Sequence, residues 1–375
     1  MPSSIYVNSY SLANKSIYDK GPSIVYHFNK HFLVADTGTS PGNTADREQL
    51  KKHRLEYLYE IEPVSAIYPL LGSCLRALGK GWTVQTLSTR NLALFAALQD
   101  LLKDPDALLV RAFTGPQSLV FQAERPVQLV LIESEDNGSV IKAVRDTLLG
   151  NVHVMVGGED QFVADYDLIS RWTSQDLHPQ GVIAFTGQGK GKSTSAFGIA
   201  LKAAIDGGRS AIVQWFKEPK GPRGTWSINE HYFPEYLKDP TLVEFYPTGA
   251  GFFSSPHLDR VKEADAYAYH RSRALEGVNL AKQLISSGKY KVVVLDEFVD
   301  TLAEIAQNIP QSLLDEEALR DLLSYSLTYP ATQLVTTGRR VTSHWSDLIQ
   351  RSYSVEEVRH PWSNKGKAAV SGLDF

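Results

Sequence analysis

A chain of 375 residues, 43% of them hydrophobic and 21% charged, has room for two domains and the make-up of an ordinary globular protein. Its formal net charge of −4 gives no electrostatic reason to expect nucleic acid or an anionic membrane as partner, so small anions must be held by local features. A single cysteine, Cys74, excludes an intrachain disulfide and a Cys-rich metal site.

The opening Met1-Pro2-Ser3-Ser4-Ile5-Tyr6 has no basic region followed by an apolar core, and no apolar run approaches a bilayer span; a soluble cytoplasmic protein is expected. Residues 1–30 are aromatic and polar without a clear period. His27 and His31 fall in a segment that reads as extended rather than helical, so no metal site is expected of the pair. Phe32-Leu33-Val34-Ala35 reads as a strand running into a turn rich in glycine and hydroxyls, Asp36 to Thr44, and Arg47 to Leu71 as a helical stretch. Short apolar runs then alternate with helical stretches, which predicts parallel sheets covered by helices. The polar run Ser174-Gln175-Asp176-Leu177-His178-Pro179-Gln180 reads as a linker, giving two α/β domains, 1–176 and 177–375.

The second domain opens on a strand, Val182-Ile183-Ala184-Phe185, followed by Thr186-Gly187-Gln188-Gly189-Lys190-Gly191-Lys192-Ser193-Thr194 and a helical stretch, Ser195 to Ala204. Strand, glycine turn and helix start are the setting of a phosphate-binding loop. Glycines turn backbone N–H groups toward an anion, the helix dipole adds to them, Lys192 reaches the outer phosphates, and Ser193 offers a hydroxyl to Mg²⁺. Counted from Gly187, the loop is one residue shorter than the usual pattern.

Further strands are expected at Ala211 to Trp215, Val243 to Tyr246, Lys291 to Leu295 and Gln333 to Thr336, with a long amphipathic helix between 259 and 288. Asp296 and Glu297 close one of these strands, at the edge the phosphate loop shares, and can hold Mg²⁺; a helix start would also favour acids there. Asp300 reads as a solvated or capping acid. Thr248 to Ser255 is a glycine-rich loop with adjacent Phe252 and Phe253; neighbouring loop side chains rarely both face inward, so one can be core while the other is exposed to stack on a flat ligand. Arg339, in Thr337-Gly338-Arg339-Arg340, can clamp a polyphosphate or be one of a surface arginine pair. Lys217, Lys220 and Arg223 fall in a Gly/Pro loop expected to move.

The two halves run parallel in sequence. Asp36 to Thr44 spaces its Thr, Gly and hydroxyl residues as Thr186 to Ser193 does, with Asn43 in place of Lys192. Cys74 to Val84 parallels Leu201 to Ala211, Leu109 to Gly115 parallels Val243 to Gly249, Leu129 to Glu133 parallels Val292 to Asp296, and Gly158 with Asp167 to Arg171 parallels Gly338 with Asp347 to Arg351. A tandem duplication accounts for all of them in one order. Two unrelated α/β domains sharing strand-turn patterns are the alternative.

Residues 181–375 resemble the ATP-dependent corrinoid (cob(I)alamin) adenosyltransferases. The short loop Gly187 to Ser193, Val213-Gln214-Trp215-Phe216-Lys217, Gly249-Ala250-Gly251-Phe252, Ser287-Gly288-Lys289-Tyr290 with Val294 to Glu297, Thr337-Gly338-Arg339, Val358-Arg359-His360-Pro361 and Gly366 to Phe375 occur in that family's order. The resemblance implies a RecA-like P-loop fold, Mg·ATP as substrate with Mg²⁺ on Ser193 and Glu297, and a Co(I) corrinoid that attacks the 5′ carbon of ATP. It implies that Phe252 packs on the corrin, and that a flavin-dependent reductase is a partner. Ser254 stands where the family often has Trp, and Ser352-Tyr353-Ser354 replaces an acidic pair. Family enzymes are homodimers, and the first half lacks their catalytic features: Asn43, Glu133-Ser134, Gln117-Ser118 and Glu159 stand at the matching places. It is expected to replace the second subunit in an intrachain pseudo-dimer. A non-enzymatic ATP or corrinoid sensor, and a P-loop ATPase or kinase, are the other functions this chain could have.

Overall fold

Runs of β-branched and aliphatic residues form strands, and runs rich in leucine and alanine form the helices that cover them. The structure, a computed structural model, describes residues 5–10, 25–29, 67–88, 91–114, 127–133, 153–157, 182–187, 191–217, 228–250, 260–302, 305, 311–340, 342 and 344–356. Strands β1 (Ile5–Tyr10) and β2 (Val25–Asn29) precede helix α1 (Ile67–Gly79), β3 (Val84–Ser88), α2 (Leu92–Leu101), β4 (Leu108–Ala112), β5 (Leu129–Glu133) and β6 (His153–Gly157). The second half contributes β7 (Val182–Thr186), α3 (Lys192–Ile205), β8 (Ser210–Gln214), a 3₁₀ stretch (Asn229–Tyr236), β9 (Val243–Pro247), α4 (Arg260–Ser286), β10 (Val292–Asp296), α5 (Glu316–Leu327), β11 (Gln333–Thr337) and β12 (Ile349–Glu356). The expected strand Phe32 to Ala35, the turn Asp36 to Thr44 and the linker Ser174 to Gln180 lie outside the described residues. No described helix is long and apolar enough to cross a membrane.

All the described strands join one 12-stranded sheet in the order β4-β3-β5-β6-β2-β1-β12-β7-β11-β10-β8-β9. Neighbours are parallel except β1 and β2. The mostly parallel α/β architecture agrees with a RecA-like P-loop domain in the second half. Counted outward from the seam, β2, β6, β5, β3 and β4 follow the same order as β7, β11, β10, β8 and β9. Because β1 is antiparallel to β2 but parallel to β12, the two sets run in opposite directions. The segment Ser352 to Ser354 lies in β12 beside β7, where Tyr353 stacks on Phe185 with ring centres 5.0 Å apart.

Helices α1 and α3 pack face to face over the seam. Every residue of α3 from Thr194 to Ala204 is buried, as befits a helix that is small or apolar on all sides and is covered by sheet on one face and α1 on the other. The closest approaches are at glycine: a Cβ on Gly72 would lie 1.8 Å from the Thr194 carbonyl oxygen, and one on Gly198 would lie 2.0 Å from that of Tyr68. Further out, the Lys103 N–H donates to Tyr236 O and the Lys238 N–H to Leu101 O, both at 2.8 Å, around an antiparallel bridge from Leu102 to Leu237. The ammonium groups repeat the exchange, Lys103 Nζ to Glu235 O at 2.9 Å and Lys238 Nζ to Asp100 O at 2.6 Å. The reciprocal glycine contacts make Cys74 the counterpart of Ala200, one place from the pairing read in the sequence. Gly81 (φ 79°) and Gly207 (φ 80°) close the two helices at the same left-handed position, whereas the sequence pairing had matched Gly81 with Gly208.

One apolar core fills this helical face and is common to both halves, with Leu70, Leu75, Phe95, Phe197, Leu201 and Phe233 among its buried members. A second lies on the opposite face of the second half, under α4 and α5, around Trp215, Phe298 and Trp345. Cys74 is fully buried in the shared core, and burial raises its thiol pKa far above the ordinary value. Alkylation of the native protein by iodoacetamide is therefore expected to be at least about 10³-fold slower than in denaturant. A mass-spectrometric time course measures it, and fast native labelling would mean that α1 does not stay docked.

Candidate active site

The parallel strands of the second half end together, and their last residues assemble the site. Asp296 pairs in register with Gln214, and Thr337 with Phe185. From the end of β7 the chain enters the loop at Gly187 (φ 101°), whose N–H donates to Arg339 O at 2.8 Å, and re-enters helix after Gly191 (φ 120°). Only glycine adopts both conformations without strain, which is why the loop can turn between strand and helix here. Lys192, Ser193 and Thr194 form the first turn of α3. Of the expected nucleotide-binding residues, Gln188, Gly189 and Lys190 lie outside the described residues, as does Phe252.

Asp296 is fully buried at the end of β10, where its carboxylate accepts from Gln214 Nε2 at 3.0 Å and from Thr337 Oγ1 at 2.8 Å. The same Thr337 hydroxyl accepts from the N–H of Glu297 at 2.8 Å, and Gln214 Oε1 lies 2.5 Å from His231 Nε2. Glu297 is held at φ 59°, a conformation non-glycine residues seldom adopt. One of its oxygens lies 3.6 Å from Lys217 Nζ, and the other, Oε2, is buried without a hydrogen-bond partner.

Two residues have roles their sequence context did not reveal. Asp300 accepts the N–H of Arg339 at 2.8 Å and acts on Lys192, so it belongs to the site rather than to solvent. Lys217, expected on a moving loop, is paired with Glu297. Each is placed by strand ends converging from distant parts of the chain, and only the short step from Glu297 to Asp300 was open to sequence reading.

The charges oppose one another. Burial pushes the Glu297 carboxyl above its ordinary pKa, and Asp296 and Asp300 add to this against Lys217 and Lys192. Burial likewise raises Asp300, against its bond from Arg339. It lowers Lys192, against the attraction of Asp300. Burial would lower Lys217 too, but Glu297, Asp296 and Glu230 outweigh it and hold the ammonium above its usual range. Buried groups in such conflict mark a place where a charged ligand would relieve the imbalance.

The structure thus brings together Gly187, Gly191, Lys192, Ser193, Asp296, Glu297 and Arg339 at one sheet edge. Thr194 is at that edge too, but its hydroxyl faces another residue, Arg76. The family described as ATP:corrinoid adenosyltransferase BtuR/CobO/CobP matches residues 179–375. The chain belongs to this family. Among relatives, the corrinoid adenosyltransferase CobA of Salmonella typhimurium is 29% identical over 56% of this chain and 93% of its own. Corrinoid adenosyltransferases of Escherichia coli (28% identical, over 52% of this chain and 85% of its own) and Pseudomonas aeruginosa (27%, over 52% and 83%) are similar to the same half. This member of the family therefore carries the family's sequence in the second half, while half of the helical seam beside the glycine loop is built by residues before position 179.

Proposed function

We propose that the enzyme transfers the 5′-deoxyadenosyl group of ATP to the Co(I) centre of a corrinoid and releases triphosphate. The observation that carries the reading is the convergence of Lys192, Ser193, Glu297 and Arg339 at one sheet edge behind a loop of the family's short form. Cobalt supplies the electron pair of the new bond to C5′, and the pair of the broken C5′–O bond leaves with the triphosphate. Catalysis of such a displacement consists of alignment and of neutralising the leaving group. Lys192 and the N–H groups opening α3 hold the triphosphate, Arg339 closes on it, and Asp300 fixes the Arg339 backbone.

Ser193 and Glu297, steadied by Asp296, would hold Mg²⁺. The buried, partnerless Glu297 Oε2 and the all-oxygen donor set fit that ion. When bound, it neutralises charge on the phosphates. Phe252 is assigned to the corrin face, where it helps to exclude an axial ligand, and a flavin-dependent reductase is the proposed source of Co(I).

The first half is a degenerate repeat that replaces a second subunit. The matched strand order and the reciprocal contacts of Gly72 with Thr194 and Gly198 with Tyr68 support this, since reciprocity is the signature of a two-fold interface. In that register Ile67 is the counterpart of Ser193, and by strand order Glu133 is the counterpart of Asp296, so a single active site is assigned. The test is an anaerobic reaction with Mg·ATP and chemically reduced cobalamin, following loss of Co(I) absorbance and the phosphate product. Triphosphate is expected in equal amount to adenosylcobalamin; phosphate or diphosphate without adenosylation would overturn the reading in favour of an ATPase or kinase.

A further inference from the structure

Arg76, on α1, lies outside the stretch that matches the family and reaches the first turn of α3 across the seam. Its NH1 donates to Thr194 Oγ1 at 2.7 Å, its Cζ stands 5.1 Å from the centre of the Phe197 ring, and its NH2 is 3.7 Å from Glu230 Oε1. Only 8% of the residue is exposed. A guanidinium placed there is costly unless its partners hold it well, so the geometry of all four side chains is mutually determined. We infer that Arg76 is a positioning residue of the active site, holding Thr194 so that the adjoining Ser193 hydroxyl and the N–H groups opening α3 stay aimed at the triphosphate.

Two observations separate this from mere fastening of the halves. The place matched to Arg76 in the other half is Lys202, whose ammonium pairs with Asp206 on its own helix, and Tyr68 holds the place matched to Thr194. The bond from a guanidinium to a first-turn hydroxyl is thus made at the end that carries the phosphate loop. The second is continuity with the site's electrostatics: Arg76 and Glu230 both act on Lys217, the partner of Glu297. The first half then contributes a functional side chain as well as a covering surface.

The inference rests on the adenosyl-transfer reading for its kinetic arm and is independent of it for its binding arm. Arg76→Met is expected to weaken Mg·ATP binding about tenfold in a fluorescence titration and to lower kcat by about the same factor, the loss of a charge-assisted bond. Arg76→Lys recovers part of it, and Thr194→Val reproduces it without adding to it in the double variant. Lys202→Met, on the same seam, leaves both quantities unchanged. Equal losses in Arg76→Met and Lys202→Met, tracking the folded fraction, would reduce Arg76 to a fastener, and unaltered ATP affinity in folded Arg76→Met would overturn the inference. A wild type that binds Mg·ATP but adenosylates nothing would remove the proposed reaction, leaving the ATP titration to decide on Arg76.

Discussion

Replacing Lys192 by Ala is expected to lower kcat/KM for ATP by about 10³-fold, while the protein keeps its unfolding midpoint within a few degrees. Lys192 is the first residue of α3, where the helix dipole and the loop N–H groups already favour an anion, and it adds a full positive charge beside the departing triphosphate. Removal of one preorganised donor to a developing anion costs about 10²–10³-fold, and a full positive charge belongs at or above the top of that range. Stability is spared because Lys192 is held down by its own burial: Asp300 attracts it, but desolvation outweighs the attraction. Deleting a charge whose burial outweighs its attractions gives up little folding energy. Steady-state kinetics with reduced cobalamin and a thermal melt give both numbers. A loss of less than tenfold would mean that another group, with Arg339 the first to examine, carries the leaving triphosphate.

The second large effect belongs to a residue with no side chain. Gly72→Val is expected to destabilise the fold by about 3 kcal/mol or more and to abolish saturable Mg·ATP binding. The added Cβ would sit 1.8 Å from the Thr194 carbonyl oxygen, a backbone atom that no rotamer change can move aside. Helices α1 and α3 must then separate along the seam. Their separation opens the core around Cys74 and displaces the turn carrying Ser193 and Thr194, so one substitution acts on stability and ligand binding together. Gly207→Ala is the fitting comparison: nothing lies within 4 Å of its Cβ, and only its φ of 80° opposes the change, a cost of about 1 kcal/mol. Denaturant unfolding and the rate of Cys74 alkylation would report both variants, and a Gly72→Val protein as stable as Gly207→Ala would show that the helices do not pack backbone to backbone.

Much of the site was legible locally. The glycine loop with Lys192 and Ser193, the acid pair closing β10 and the arginine after β11 are contiguous patterns whose chemistry depends on neighbours in sequence. A helix start, a strand end and a turn are set by adjacent residues, so their residue types announce them. Asp300 and Lys217 were misread because their roles are set by partners on other strands: Asp300 meets the Arg339 backbone, and Lys217 meets Glu297, only when β8, β10 and β11 lie side by side. The sequence pairing of Cys74 with Leu201 and of Gly81 with Gly208 differs by one place from the match that the close contacts of Gly72 and Gly198 support. A pairing of glycines in sequence cannot tell which of two adjacent glycines takes the left-handed turn, and that choice is made by φ.

By itself, the sequence determined an α/β chain, a short glycine loop between a strand and a helix, and its family, because each of those rests on short-range spacing. Tertiary structure alone decided that both halves share one sheet and one helical seam, that Gly72 and Gly198 let two backbones touch, and that Arg76 enters the first turn of α3 from 118 positions away. The reason is that burial and close packing join residues without regard to their separation along the chain, and no local pattern records which distant carbonyl a missing Cβ makes room for.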